Sequence, residues 1–220
     1  MRSFGAFGKI PVLGDFFRTG LGNEFVSGWD EWLQLRLTEA REELGESWET
    51  CYMSAPIWRF SVAAGLVGEE AMIGVLMPSV DRVGRKFPLT LTTDQPGSGN
   101  SLVGHFARGS VFEQLESLAL DALDDAMTLD DLKTGLASIR RQETPVEVMR
   151  QGGVVRVRGE GALDPALAAA MAAPVPSGAS IWTSHVDSEA RLVICDGLPS
   201  STQMIEMFDE DAAVWQGVAV

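Results

Sequence analysis

Ala71-Met-Ile-Gly-Val-Leu-Met77, then Pro78-Ser-Val-Asp-Arg-Val-Gly-Arg-Lys86, then Phe87-Pro-Leu-Thr-Leu-Thr-Thr93 is the stretch that decides the fold. The first segment is a near-continuous apolar run, short enough to be a central strand buried on both faces. The third alternates Phe87, Leu89 and Leu91 with Pro88, Thr90 and Thr92, the period of a strand. Upstream, Ile57–Ala63 alternates Trp58, Phe60 and Val62 with other residues and makes a third strand. The connections are short: one contains Gly65 and Gly68, the other runs from Pro78 to Arg85. Parallel neighbours need crossovers of about a dozen residues or more, so these three strands read as an antiparallel meander.

Working outward, Gly5, Gly8, Pro11, Gly14, Gly20 and Gly22 mark turns around a short strand at Ala6–Ile10. A helix follows over Asn23–Leu44, where Phe25, Trp29, Trp32, Leu33, Leu37, Ala40 and Leu44 recur at spacings of three and four. Gly45 is placed to end it, and a short helix covers Ser47–Met53. Beyond the meander the order is helix, helix, strand, helix, strand, strand, helix. The helices are Ser110–Ala126, Leu129–Arg140 with Thr128 and Asp131 as its capping box, Asp164 through Met171, and Pro199–Phe208 with Met204, Ile205 and Phe208 inward. The strands are Val154–Arg158, Ala179–Ser184 and Leu192–Asp196. The fold class is α+β, with a mainly antiparallel sheet flanked by helices. Residues 1–220 read as one domain, with a subdomain junction at Gln95–Ser101 between a motif-rich half (1–94) and the rest (102–220).

The chain has 220 residues and a net charge of −14, split as −4 over residues 1–96 and −10 over residues 97–220. Such an acid excess disfavours nucleic-acid phosphates and anionic membrane surfaces as main partners. No apolar run approaches the roughly 20 residues that span a bilayer, and Met1 to Lys9 holds no apolar signal core. Cys51 and Cys195 are far apart and outside any CxxC pair, which fits buried thiols in a reducing cytoplasm.

Signatures of catalysis and of metal binding are weak. His105 and His185 are 80 residues apart with nothing at zinc-ligand spacing, and read as polar-loop or partly buried imidazoles. No G-x-S-x-G elbow is present, and Gly97-Ser-Gly99 lacks the lysine of a phosphate loop. The acids from Glu113 to Asp131 form a run with no intervening base, the pattern of a solvated helix face. The expectation is a protein that is not an enzyme and carries no cofactor or metal.

One segment opposes the overall acidity. Arg82, Arg85 and Lys86 lie between Pro78 and Pro88, with Gly84 permitting a positive φ. Two readings stand side by side. In one, the stiff loop presents guanidinium groups to a carboxylate or phosphate. In the other, Arg82 or Arg85 pairs internally with Asp81 or Asp15 and fixes the loop's shape. Gly14-Asp15-Phe16-Phe17-Arg18 invites the architectural reading for Asp15, and Trp58 and Arg59 are grouped with the same packed unit.

These words also carry a family resemblance. Gly5-Ala-Phe-Gly-Lys-Ile-Pro11 with Gly14-Asp15-Phe16 resembles the opening of the TagF family of type VI secretion-associated proteins. The likeness continues through Trp29-Asp-Glu-Trp-Leu33 and Ala55-Pro-Ile-Trp-Arg-Phe60, and is strongest at Gly74–Arg85 with Phe87-Pro-Leu-Thr90. Ile181-Trp-Thr183 resembles the family's later tryptophan strand, and Lys86 departs from the family's pattern, where an aromatic residue is expected. The resemblance implies a single TagF-like domain with a longin- or profilin-like sheet. It implies a cytoplasmic repressor that acts on type VI secretion after translation, with a forkhead-associated scaffold protein of the same system as its direct partner. Nothing in the chain resembles the phosphatase domain fused to some relatives.

Three functions follow as expectations. The first is a non-enzymatic regulatory binding protein, with Asp15, Trp58, Arg59, Ser79, Asp81, Arg82 and Arg85 as contacts or as the framework of the contact surface. The second is a small-anion binder or enzyme with Arg82, Arg85, Ser79 and Asp15 in a pocket. The third is a structural or homodimerising subunit of the secretion apparatus, whose tail from Ala212 to Val220 adds a strand to a neighbour or docks on its own sheet through Trp215.

Overall fold

The structure, a computed structural model, describes residues 3–95, 102–141, 146–151, 154–159, 175–187 and 189–216. The expected helix from Asp164 to Met171 and nearly all of the expected junction lie outside these residues. The strands are β1 (Gly5–Gly8), β2 (Phe17–Thr19), β3 (Trp58–Val62), β4 (Met72–Met77), β5 (Leu89–Asp94), β6 (Val146–Gln151), β7 (Val154–Gly159), β8 (Ala179–Val186) and β9 (Glu189–Asp196). The helices are α1 (Asn23–Leu44), α2 (Trp48–Ser54), α3 (Leu102–Phe106), α4 (Gly109–Asp121), α5 (Leu129–Ser138) and α6 (Ser201–Phe208).

Seven strands form one antiparallel sheet in the order β2-β1-β5-β4-β3-β8-β9, and β6 pairs with β7 as a separate hairpin. The expected meander is its centre. Phe60 and Thr92 sit on either side of Gly74, which sets the register of β3, β4 and β5.

Both faces of the sheet are covered. Trp58, Phe60, Val62, Met72, Leu76 and Trp182 pack with Phe25, Trp29 and Leu33 of α1, Tyr52 of α2, and Met204, Met207 and Phe208 of α6. Ile73, Val75, Met77, Leu89 and Leu91 pack with Val111, Phe112, Leu115 and Leu118 of α4 and Leu132 and Leu136 of α5. Every residue of β4 is therefore buried, which is why its sequence runs apolar without alternation. On the α1 face the ring of Trp29 lies against Phe60 at 4.9 Å and Trp32 at 4.7 Å. Its indole N–H donates to Thr90 Oγ1 at 2.8 Å, so the threonine of an alternating strand satisfies the one polar atom of a buried aromatic.

Several boundaries differ from expectation for local reasons. The expected helix to Ala126 stops at Asp121, where a chain of tight turns takes over and the Asp124 carboxylate accepts from the Ala126 N–H. The strand expected from Phe87 begins at Leu89, because the Phe87 N–H is already used by the Ser79 carbonyl and Pro88 has none. α6 starts after a Ser200–Gln203 capping box and turns Met207 inward, leaving Ile205 only partly buried. β2, α3 and β6 were not expected; β2 and α3 have three and five residues, too few for a period to register.

Candidate functional site

The Pro78–Pro88 connection is a hairpin-like loop built around one buried carboxylate. Val80 and Lys86 bridge antiparallel, and the Asp81 N–H donates to the Arg85 carbonyl at 3.1 Å. Gly84 takes φ +82° and donates to the Asp81 carbonyl at 2.8 Å. A Cβ would be strained in that left-handed conformation, which is what the glycine is for.

Inside the turn the Asp81 side chain is fully buried. Oδ1 accepts from the backbone N–H of Val83 at 3.1 Å and of Arg85 at 2.9 Å. Oδ2 accepts from Arg85 Nε at 2.6 Å and faces Lys9 Nζ at 3.1 Å. Burial opposes the charge, but the donors from Arg85, Lys9 and Val83 together hold the carboxyl well below the usual carboxylate range.

The Gly8–Arg18 segment is tied to this loop. The Arg82 N–H donates to the Leu13 carbonyl at 2.8 Å, and Arg85 Nη2 donates to the Gly14 carbonyl at 2.5 Å. Phe16 packs edge-on against Phe87 at 4.7 Å, with Lys9 Nζ 4.7 Å from its ring centroid. From the other side the Tyr52 hydroxyl donates to the Ser79 carbonyl at 2.8 Å and accepts from the Ser79 N–H at 3.1 Å.

The expected site residues thus separate. Asp81 and Ser79 are buried framework, and Arg85 is half framework, with its side chain 57% exposed. Arg82 and Asp15 are exposed; Asp15 accepts from the Phe16 N–H and does not pair with either arginine. Trp58 belongs to the core and donates to the Met207 carbonyl at 3.0 Å. Arg59 lies on the opposite face of the sheet, where it makes a two-pronged pair with Glu116 of α4 at 2.7 and 2.6 Å. Ser79 thus lies inside the packing of the loop, while Asp15 and Arg82 stand on its surface.

Around the loop, Phe16 (44% exposed) and Val83 (69%) stand out as large apolar side chains in solvent, next to Arg82. Sequence reasoning missed Lys9 as the second cation on Asp81 and Tyr52 as the clamp on Ser79. Lys9 sits inside the Gly8-Lys-Ile-Pro11 word, so its signal was present; Tyr52 gave none.

His105 is on helix α3 and buried, with Nδ1 2.8 Å from Ser61 Oγ and Nε2 2.8 Å from Thr183 Oγ1. Burial, then the charges of Arg59 and Arg108, push its pKa down to about 3. Exposed His185 lines the same cleft of about 400 Å³. Cys195 is buried and Cys51 half-buried; neither is in a disulfide. Among the described residues no cluster of His, Cys, Asp and Glu could hold a metal ion, and no helix is long and apolar enough to cross a membrane.

A helix–sheet–helix α+β sandwich whose N-terminal segment is locked onto an Asp81-centred loop is the class that fold and site define. The chain belongs to the family of the TagF N-terminal domain, Type VI secretion system-associated, which matches residues 5–139. The crystal structure of PA0076 from Pseudomonas aeruginosa PAO1 is similar to it, at 33% identity and a TM-score of 0.75, covering 99% of this chain and 97% of that one. No curated protein matches the chain. The protein is thus type VI secretion-associated, and the strongest words of its sequence are the ones that build the loop.

Proposed function

We propose that this protein is a non-enzymatic negative regulator of type VI secretion that acts after translation, in the cytoplasm, by binding a forkhead-associated scaffold protein of the system. The family supplies the secretion context. The observation that carries the contact face is the construction of the loop: a buried, doubly paired Asp81 fixes a backbone whose outer surface is Arg82 and Val83, beside Phe16. Arginine and aromatic side chains on a rigid support lose little entropy on docking and are favoured as interface anchors. Sequestration of the scaffold on this surface would keep it from the secretion machine.

The structure also dictates the variant to use. Charge reversal at Arg85 would break the Asp81 pair and confound folding with binding, whereas Arg82 and Val83 contribute side chains that the loop does not need. In a pull-down with the scaffold protein, Arg82→Glu with Val83→Asp is expected to lose capture while melting like the parent. Full capture by that folded variant removes the loop from the contact face, and no capture by the parent overturns the reading.

A further inference from the structure

A groove of about 420 Å³ opens beside the loop, lined by Leu37, Arg41, Trp48, Glu49, Arg85 and Lys86 among others. Its shape follows from the helix ends. α1 stops at Gly45, whose N–H bonds to the Arg41 carbonyl, and a short 3-10 turn over Gly45–Ser47 sends the chain back into α2. Trp48 and Glu49 then face the last turns of α1, and Gly84, Arg85 and Lys86 close the third side.

Its charge runs against that of the molecule. Three cations and one carboxylate line the groove, in a chain with a net charge of −14. The carboxylate is already held: Lys86 Nζ lies 2.8 Å from Glu49 Oε1, which draws the Glu49 carboxyl below its ordinary value. Arg41 is exposed, with no side-chain hydrogen bond or ion pair among the described residues. Arg85 spends Nε on Asp81 and Nη2 on Gly14, leaving Nη1 without a partner among the described residues. Leu37 and Trp48 supply an apolar wall.

We propose that this groove receives an acidic segment of the protein partner, whose carboxylates take the donors of Arg41 and Arg85 and compete with Glu49 for Lys86. The proposal rests on the binding reading above and specifies its chemistry. Guanidinium groups suit carboxylates because their paired N–H donors match the two oxygens, and a partly enclosed groove strengthens the attraction relative to open solvent. Arg41 comes from a helix outside the loop's strongest sequence words, so the basic site exists only in the fold.

Isothermal titration of the scaffold protein into four forms decides it: the parent, Arg41→Glu, Lys86→Glu and Glu49→Gln. None of these side chains touches Asp81, so the loop framework stays intact. The expected result is binding weakened about fivefold or more by each reversal and tightened by Glu49→Gln, in keeping with partly exposed charge pairs. Binding by the parent with both reversals within about twofold of it overturns the groove while leaving the regulatory reading in place. Absence of binding by the parent overturns both.

Discussion

Of the buried ionisable side chains, His105 and Asp81 each have a consequence in acid. His105 is buried and neutral between Ser61 and Thr183, with its pKa near 3 against an ordinary 6.5. The unfolded chain binds a proton that the folded one refuses, so the contribution of this residue is complete above pH 6.5 and drains away as pH falls toward 3. Asp81 is also depressed, so its contribution is lost lower still, as pH falls below its ordinary 3.8. Denaturant titrations between pH 4 and 7 therefore have a predicted outcome: the parent loses stability on acidification through this window, and His105→Gln, which keeps hydrogen-bonding capacity without titrating, shows a flatter profile. Parallel profiles would mean that the imidazole is solvated or protonated in the fold.

At the scale of elements, what the residues revealed depended on how local the cause was. The capping box of α5 was legible because Thr128 and Asp131 are three residues apart, and its bonds are as expected: Asp131 N–H to Thr128 Oγ1 at 3.2 Å and Thr128 N–H to Asp131 Oδ2 at 3.0 Å. Thr128→Ala is predicted to cost about 1 kcal/mol, measured by denaturant unfolding, with Ser in place of Thr nearly neutral. The meander was legible for a like reason, since short connections leave little choice of pairing. The chain order could not reveal β3 pairing with β8, because no turn joins residues so far apart. Arg59 was grouped with Trp58 and the Gly14–Arg18 unit, yet strand alternation turns it to the face opposite Trp58, and its partner Glu116 was hidden in an acidic run. The internal pair of Asp81 and Arg85 was one of two readings left open by sequence; the fold satisfies it and still leaves half of Arg85 exposed.

Over the whole molecule, the C-terminal segment is used internally. Trp215 donates to the Glu206 carbonyl at 2.7 Å, lies 6.2 Å from the Trp58 ring, and takes the Arg191 guanidinium over its own ring at 4.8 Å. Of the two expectations for the tail, the described part follows the second and docks on its own fold. Trp215→Ala is predicted to lower stability by about 1–2 kcal/mol, through apolar area returned to water, with no change in mass by light scattering. A change in mass at equal stability would make Trp215 an intermolecular anchor instead. The uneven charge also finds its place at this scale: the C-terminal half carries most of the acidity, while the cations of Arg41, Arg82, Arg85 and Lys86 cluster around one end of the meander.

Amide hydrogen exchange of the chain, alone and mixed with the scaffold protein, tests most directly whether the loop fixed by Asp81 is the proposed contact face. Added protection is predicted at Leu13–Phe16 and Arg82–Lys86, with β8 and β9 unchanged. Protection confined to β8 and β9, with the loop exchanging as in the unbound chain, would contradict it.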